Sequence, residues 1–131
     1  MIGIDTNVLV RYLVQDDEIQ AKAATQILEQ ITDETPAFIN NIVMCETVWV
    51  LARAYKYDKS IIAETLEQIL ATAGLQFENA EAIRKAVRHY KNGNADFSDY
   101  LIGEINKENG VATTYTFDRK ASGCSLFTIV R

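Results

Sequence analysis

The chain has 131 residues, 48% hydrophobic and 24% charged, which suits one folded domain over residues 1–131 and excludes the disordered and collagen-like classes. Its formal net charge of -5 excludes nucleic-acid binding through bulk positive charge, so such a partner has to be held by a local basic surface. No apolar run, Val48 to Ala52 included, is long enough to span a membrane, and no basic segment precedes an apolar core at the N-terminus, so a cytoplasmic protein is expected.

Ile2-Gly3-Ile4 reads as a short strand that runs into Asp5-Thr6-Asn7, after which Val8, Leu9, Tyr12 and Leu13 recur at helical spacing. A second helix is predicted from about Asp17 to Ile31 through Ile19, Ala23, Ile27 and Leu28, with acids at its start that suit the helix dipole. Ala37-Phe38-Ile39 is the next strand, and Asn40-Asn41 caps a helix over Ile42 to Tyr55. A helix after Ser60 ends at Gly74, a strand Leu75-Gln76-Phe77 follows, and Ala82, Ile83, Ala86, Val87 and Tyr90 mark a helix ending near Gly93. The last helix carries Phe97, Leu101, Ile102 and Ile105 up to Gly110, and strands are predicted over Val111 to Tyr115 and Leu126 to Val130. Strands and helices alternate, so the class is α/β with a mostly parallel sheet and right-handed crossovers.

Several acids fall where such a fold binds ligands, beyond the carboxyl ends of parallel strands. Asp5 ends the first strand and is either the N-cap of the next helix or a functional carboxylate. Glu46 follows Ile42 and Val43 and precedes Trp49 and Val50 on one helical face, so a buried apolar stripe is expected around it. A buried carboxylate needs a partner, either an ion pair with Arg53 or Arg11 or a functional cation. Asp96 and Asp99 are three apart at a helix start, where Asp96 can be the N-cap and Asp99 the third helical residue. Asp99 also sits one turn before Gly103, whose missing side chain is expected to leave room close by. Asp118, after Thr114-Tyr115-Thr116-Phe117, repeats the strand, polar link and acid seen at Asp5, and it too can be a cap.

Helices that start at one sheet edge bring Asp5, Glu46, Asp99 and Asp118 within reach of one pocket. Two carboxylates ~5 Å apart repel by roughly 3 kcal/mol at an effective dielectric of ~20, and a divalent cation offsets this. Oxygen-only ligands favour Mg²⁺ or Mn²⁺, which points to metal-assisted hydrolysis of a phosphodiester, the ion lowering the pKa of a water and neutralising phosphate charge. Other machinery is missing. His89, the only histidine, lies on a basic helix face expected to be solvated, and Cys45 and Cys124 read as core or near-surface thiols. No phosphate-binding glycine loop, zinc motif or serine triad is present.

The ordered set Ile4-Asp5-Thr6-Asn7, Cys45-Glu46-Thr47-Val48-Trp49-Val50-Leu51, Ala95-Asp96-Phe97-Ser98-Asp99-Tyr100-Leu101-Ile102 and Thr114-Tyr115-Thr116-Phe117-Asp118 resembles the PIN domain, and most of all the VapC-type ribonuclease toxins of toxin–antitoxin pairs. The resemblance spans nearly the whole chain and implies a three-layer sandwich with a mostly parallel central sheet flanked by helices. It implies that Asp5, Glu46, Asp99 and Asp118 bind Mg²⁺ or Mn²⁺ and carry endoribonuclease activity, that Asp96 is an auxiliary acid, and that Thr6, Asn7 and Thr116 orient the carboxylates. It further implies a homodimer and a cognate antitoxin whose C-terminal segment covers the site, often with an arginine. For RNA contact, Arg11 and Arg119 follow the first and last acids, while Arg84, Arg88 and Lys91 share a helical face with Lys85 beside it. Two other readings stand beside this one: an aspartate-based phosphoryl-transfer domain with Asp5 as covalent nucleophile, and a non-catalytic peptide-binding module in which the acids are caps.

Overall fold

The computed structural model describes all 131 residues. Six helices alternate with five short strands: β1 (Ile2–Gly3), α1 (Thr6–Val14), α2 (Glu18–Glu29), β2 (Ala37–Ile39), α3 (Asn41–Arg53), α4 (Lys59–Leu70), β3 (Leu75–Phe77), α5 (Ala80–Asn92), α6 (Phe97–Glu108), β4 (Thr114–Thr116) and β5 (Phe127–Ile129). A short 3₁₀ turn, Ala121–Gly123, precedes β5. Every strand pairing is parallel, and each crossover carries helix or turn, as the alternating pattern requires.

The pairing divides into two sheets. In the first, β2 lies between β1 and β3, with Ile2 opposite Ala37 and Ile39 opposite Phe77. In the second, β4 pairs with β5, Thr114 opposite Phe127. No backbone ladder joins the two sheets. β4 is shorter than the run Val111 to Tyr115 suggests, because Gly110 takes φ +81 and the Val111 amide bonds to the Asn106 carbonyl, holding that stretch in the end of α6.

Caps explain where the helices begin. Asp5 accepts from the Val8 amide at 3.0 Å, Asp17 from Gln20 at 2.9 Å, and Asn40 from Val43 at 2.9 Å, each satisfying an orphan donor of the first turn. Glu78, just beyond β3, accepts from the Asn41 amide at 3.0 Å and so ties the end of one strand to the start of α3. Gly74 is required as glycine. It takes φ +85, a Cβ there would lie 2.5 Å from Ile31 Cγ2, and its carbonyl accepts from Ala37 at the entry to β2.

The core sits between the first sheet and α3 to α6. Ala37 and Ile39 of β2 are fully covered, and Met44, Leu51, Ile62, Leu66, Ile83 and Phe97 fill the space from the helices. Burying a side chain of this size contributes about 1.5–3 kcal/mol. Gly103 lies inside α6 against β5, and a Cβ there would meet Leu126 Cδ1 and the Phe127 ring at 3.0 Å. The room expected beside Gly103 is therefore taken by side chains of the second sheet and its approach, and the glycine serves helix–sheet packing rather than a ligand.

Candidate active site

The carboxyl ends of β1 and β2 deliver the N-termini of α1 and α3 to one edge, with Asp5 capping the first and Asn40 the second. Glu46 lies in the second turn of α3, and the Thr6 hydroxyl donates to its Oε1 at 2.6 Å. Asp5, Thr6, Asn7, Glu46, Trp49 and Val50 line a cleft of about 440 Å³. The sequence reading of Glu46 needs correction, because it is exposed, not buried. Helix α3 turns Val43, Met44, Thr47, Val48 and Leu51 to the core, whereas no other element covers the face of Ile42 (69% exposed), Glu46 and Trp49 (61% exposed). Its partner is Thr6, not Arg53 or Arg11.

Asp96 stands at the N-cap position of α6, yet its side chain makes no capping bond. Capping thus accounts for one oxygen of Asp5 and for nothing at Asp96. Asp99, in the first turn of α6, has its carboxyl pushed above the ordinary value by partial burial and then by the charges of Asp96 and Asp118, against a lowering by the Asp96 backbone. Asp99 therefore lies within range of the charges of both Asp96 and Asp118. Asp118, two residues beyond β4, accepts from the Lys120 amide at 2.8 Å in a tight turn, and its own amide donates to Thr116 Oγ1 at 3.0 Å. Trp49 links the two groups of acids, since it also walls a smaller cavity of about 50 Å³ with Asp96 and Ser98.

A common feature emerges from these contacts. In Asp5, Glu46 and Asp118 one carboxylate oxygen is fixed by a local donor, and the other makes no hydrogen bond. None of the five acids forms an ion pair; the chain's pairs are Arg11–Asp16, Arg84–Glu81, Lys91–Glu67 and His89–Glu104. All donors are oxygens and all are acids, and although Arg53 lines the smaller cavity with Asp96, no cation stands within ion-pair distance of any of them, which suits a hard divalent cation. As placed, no three of the chain's acidic, histidine or cysteine side chains close around a single point. Repulsion among uncompensated carboxylates opposes such closure, and the oxygens without hydrogen bonds stay open to a ligand.

The remaining candidates fall in different places. Asn7 is exposed and lines the cleft. Arg11 is consumed: its guanidinium donates to Gln20 at 2.7 Å, Asp16 at 3.1 Å and the Tyr55 hydroxyl at 2.9 Å. Arg119 is exposed beside Asp118. Arg84 and Lys91 are paired with Glu81 and Glu67, and with Arg88 they line a groove of about 400 Å³ between α4 and α5. His89 is not simply solvated, because Glu104, Tyr100 and Cys124 surround it. Both cysteines are free and half-buried, and burial followed by the charge of Glu46 pushes the Cys45 thiol up to about 11. Sequence reasoning missed Trp49 as a wall of the cleft, although its spacing of three from Glu46 was a signal.

Comparison with known proteins agrees with the fold. The PIN domain model matches residues 2–123. A protein described as "VapC ribonuclease" from Aquifex aeolicus (strain VF5) is 27% identical over 118 residues, which cover 89% of this chain and 87% of that protein. With a parallel α/β fold and a family match over nearly its whole length, the chain belongs to the PIN domain family.

Proposed function

We propose that the protein is a Mg²⁺- or Mn²⁺-dependent endoribonuclease and the toxin of a VapBC-type toxin–antitoxin pair. The observation that carries the reading is the set of half-anchored carboxylates: Asp5, Glu46 and Asp118 each keep one oxygen fixed and one without a hydrogen bond, and no cation pairs with them. The similarity to a protein described as VapC ribonuclease supports the substrate class.

In this reading Asp5, Glu46, Asp99 and Asp118 hold the ion, and Asp96 adds negative charge beside Asp99. Thr6 fixes Glu46 and Thr116 fixes the turn of Asp118, each setting the direction in which a carboxylate can reach. Asn7 lines the same cleft and supplies an amide to the phosphate or to a carboxylate. Bound there, Mg²⁺ or Mn²⁺ would supply a water of lowered pKa and offset charge on the scissile phosphate. Trp49 presents an exposed aromatic face on which an unpaired RNA base can stack, and Arg119, beside Asp118, is an exposed, unpaired cation for the RNA backbone.

The exposed apolar side chains of Ile42 and Trp49 on either side of Glu46 suit coverage by a protein partner. An antitoxin segment that places an arginine among these acids satisfies them without an ion. A homodimer acting in the cytoplasm completes the reading. No helix is long and apolar enough to cross a membrane.

Cleavage of a labelled RNA pool with Mn²⁺, with chelator, and by Asp5→Asn and Asp99→Asn variants tests the activity, and Mn²⁺ quenching of Trp49 fluorescence tests the ion. Metal-dependent cleavage lost in both variants is expected. Cleavage that survives chelation or either substitution in folded protein overturns it.

A further inference from the structure

Away from the acids, three chemistry-bearing side chains from three separate segments stand in a row. Glu104 of α6 is 3% exposed, and its Oε1 lies 3.2 Å from His89 Nε2 on α5. The other ring nitrogen, Nδ1, lies 3.8 Å from Cys124 Sγ, which follows the 3₁₀ turn. The imidazole stacks on Tyr100, with centroids 5.5 Å apart and planes at 23°, and the Tyr100 hydroxyl is itself fixed by the Ala95 amide at 3.1 Å. Opposite ring nitrogens serve the carboxylate and the sulfur, so the trio does not enclose one ion. It is a relay.

The relay has a direction. A carboxylate only accepts, so Glu104 keeps the proton on Nε2 and leaves Nδ1 to exchange a proton with the thiol. It also stabilises the imidazolium that forms when the thiol proton moves, the role a buried acid plays in nucleophilic triads. Cys124 opens onto a cavity of about 470 Å³ that His89, Tyr100, Arg88, Asn92 and Lys120 also line. Arg88 and Lys120 form no ion pair, so the rim is cationic and uncompensated although the chain as a whole is acidic.

We propose that Cys124 is a nucleophilic thiol, served by His89 and positioned through Glu104, that exchanges with small anionic disulfides seated against Arg88 and Lys120. The Cys124 proton passes to His89 Nδ1, and the thiolate attacks one sulfur of the disulfide. A Cys124–sulfur bond forms as the disulfide bond breaks, and the departing thiolate takes the proton from His89. Cys124 is oxidised and half of the disulfide is reduced, so electrons balance without another reactant. Cys45, packed against the core on α3 with no histidine beside it, provides the internal contrast.

Oxidised glutathione is the anionic probe and cystamine the cationic one, with adducts located by mass spectrometry and each rate divided by that of a small free thiol. One glutathione per chain is expected on Cys124, absent in Cys124→Ser and retained in Cys45→Ser. Oxidised glutathione should exceed cystamine in normalised rate, and the ratio should fall in the Arg88→Gln, Lys120→Gln double variant. In His89→Gln the rate should drop by about tenfold or more, and its pH profile should become that of an unassisted thiol. Glu104→Gln should lose part of the rate with the adduct still on Cys124. The groups facing the imidazole in these profiles are Glu104 and Tyr100 from α6, Arg88 on its own helix, and Cys124 and Lys120 from the turn. Adduct confined to Cys45, equal rates in wild type and His89→Gln, or a normalised cystamine rate matching that of oxidised glutathione overturns the proposal. The charge ratio is read on the unaltered chain, so it decides even if a variant fails to fold.

Discussion

Helix α1 carries a polar cluster at each end, and the two are built on opposite principles. At its C-terminal end Arg11, Asp16, Gln20 and Tyr55 close a ring of hydrogen bonds, with Tyr55 donating to Asp16 at 2.7 Å and every charge matched. At its N-terminal end Asp5 and Glu46 are joined only through Thr6, and neither they nor Asp96, Asp99 and Asp118 beyond Trp49 form an ion pair. The closed cluster holds α1, the start of α2 and the segment after α3 together. The open one bears an electrostatic cost that a cationic ligand would relieve, and uncompensated groups of that kind make it the candidate functional site.

Asp99→Asn separates the two most sharply. Cleavage should fall by about 100-fold or more. The thermal midpoint without metal, at neutral pH, should hold or rise. The sign follows from the raised carboxyl: its contribution to stability is present below the ordinary value of 3.8 and is lost as pH rises through the raised value. Thr6→Val, which removes the anchor of Glu46, should cost about tenfold in cleavage at saturating Mn²⁺ and little stability. The two roles of Asp5 come apart in a pair of variants read by thermal denaturation with and without Mn²⁺. Asp5→Asn keeps a cap acceptor and should lose only the Mn²⁺-dependent rise, whereas Asp5→Ala should also lose about 1 kcal/mol of cap stability.

The smallest expected effect belongs to the closed cluster. Hydrogen bonding from Tyr55, ahead of the charge of Arg11, holds the Asp16 carboxyl below its ordinary value of 3.8. That contribution is present above the ordinary value and is lost as pH falls through the depressed one, the reverse of Asp99. Tyr55→Phe should lower the midpoint slightly at neutral pH, narrow its loss between neutral and strongly acid solution, and leave cleavage unchanged. A drop in cleavage would join the two clusters functionally.

Periodicity and caps made the elements legible: each predicted helix and strand exists, and the N-caps Asp5, Asp17 and Asn40 fall where local chemistry puts them. What stayed illegible was coverage. The apolar neighbours of Glu46 implied burial, but periodicity gives the direction of a face and not whether another element lies on it. Gly103 and His89 fail for the same reason in reverse. Leu126 and Phe127 fill the space beside one, and Glu104 with Cys124 engages the other, all through contacts between segments distant in sequence. Asp5 and Asp118 stand out in the sequence because a strand followed closely by an acid is a local pattern, whereas Glu46 and Asp99 are reached only through helical spacing.

The divided sheet gives the acids a mechanical meaning. Asp5 leaves the three-stranded sheet and Asp118 leaves the two-stranded one, while no backbone ladder bridges them. An ion held by both is a rivet across that seam, adding stiffness that the backbone does not supply. If Asp5 and Asp118 share an ion as proposed, amide hydrogen exchange at Gly3, Ile4 and Thr116 should slow on loading with Mn²⁺, and the loaded chain should be the more rigid body.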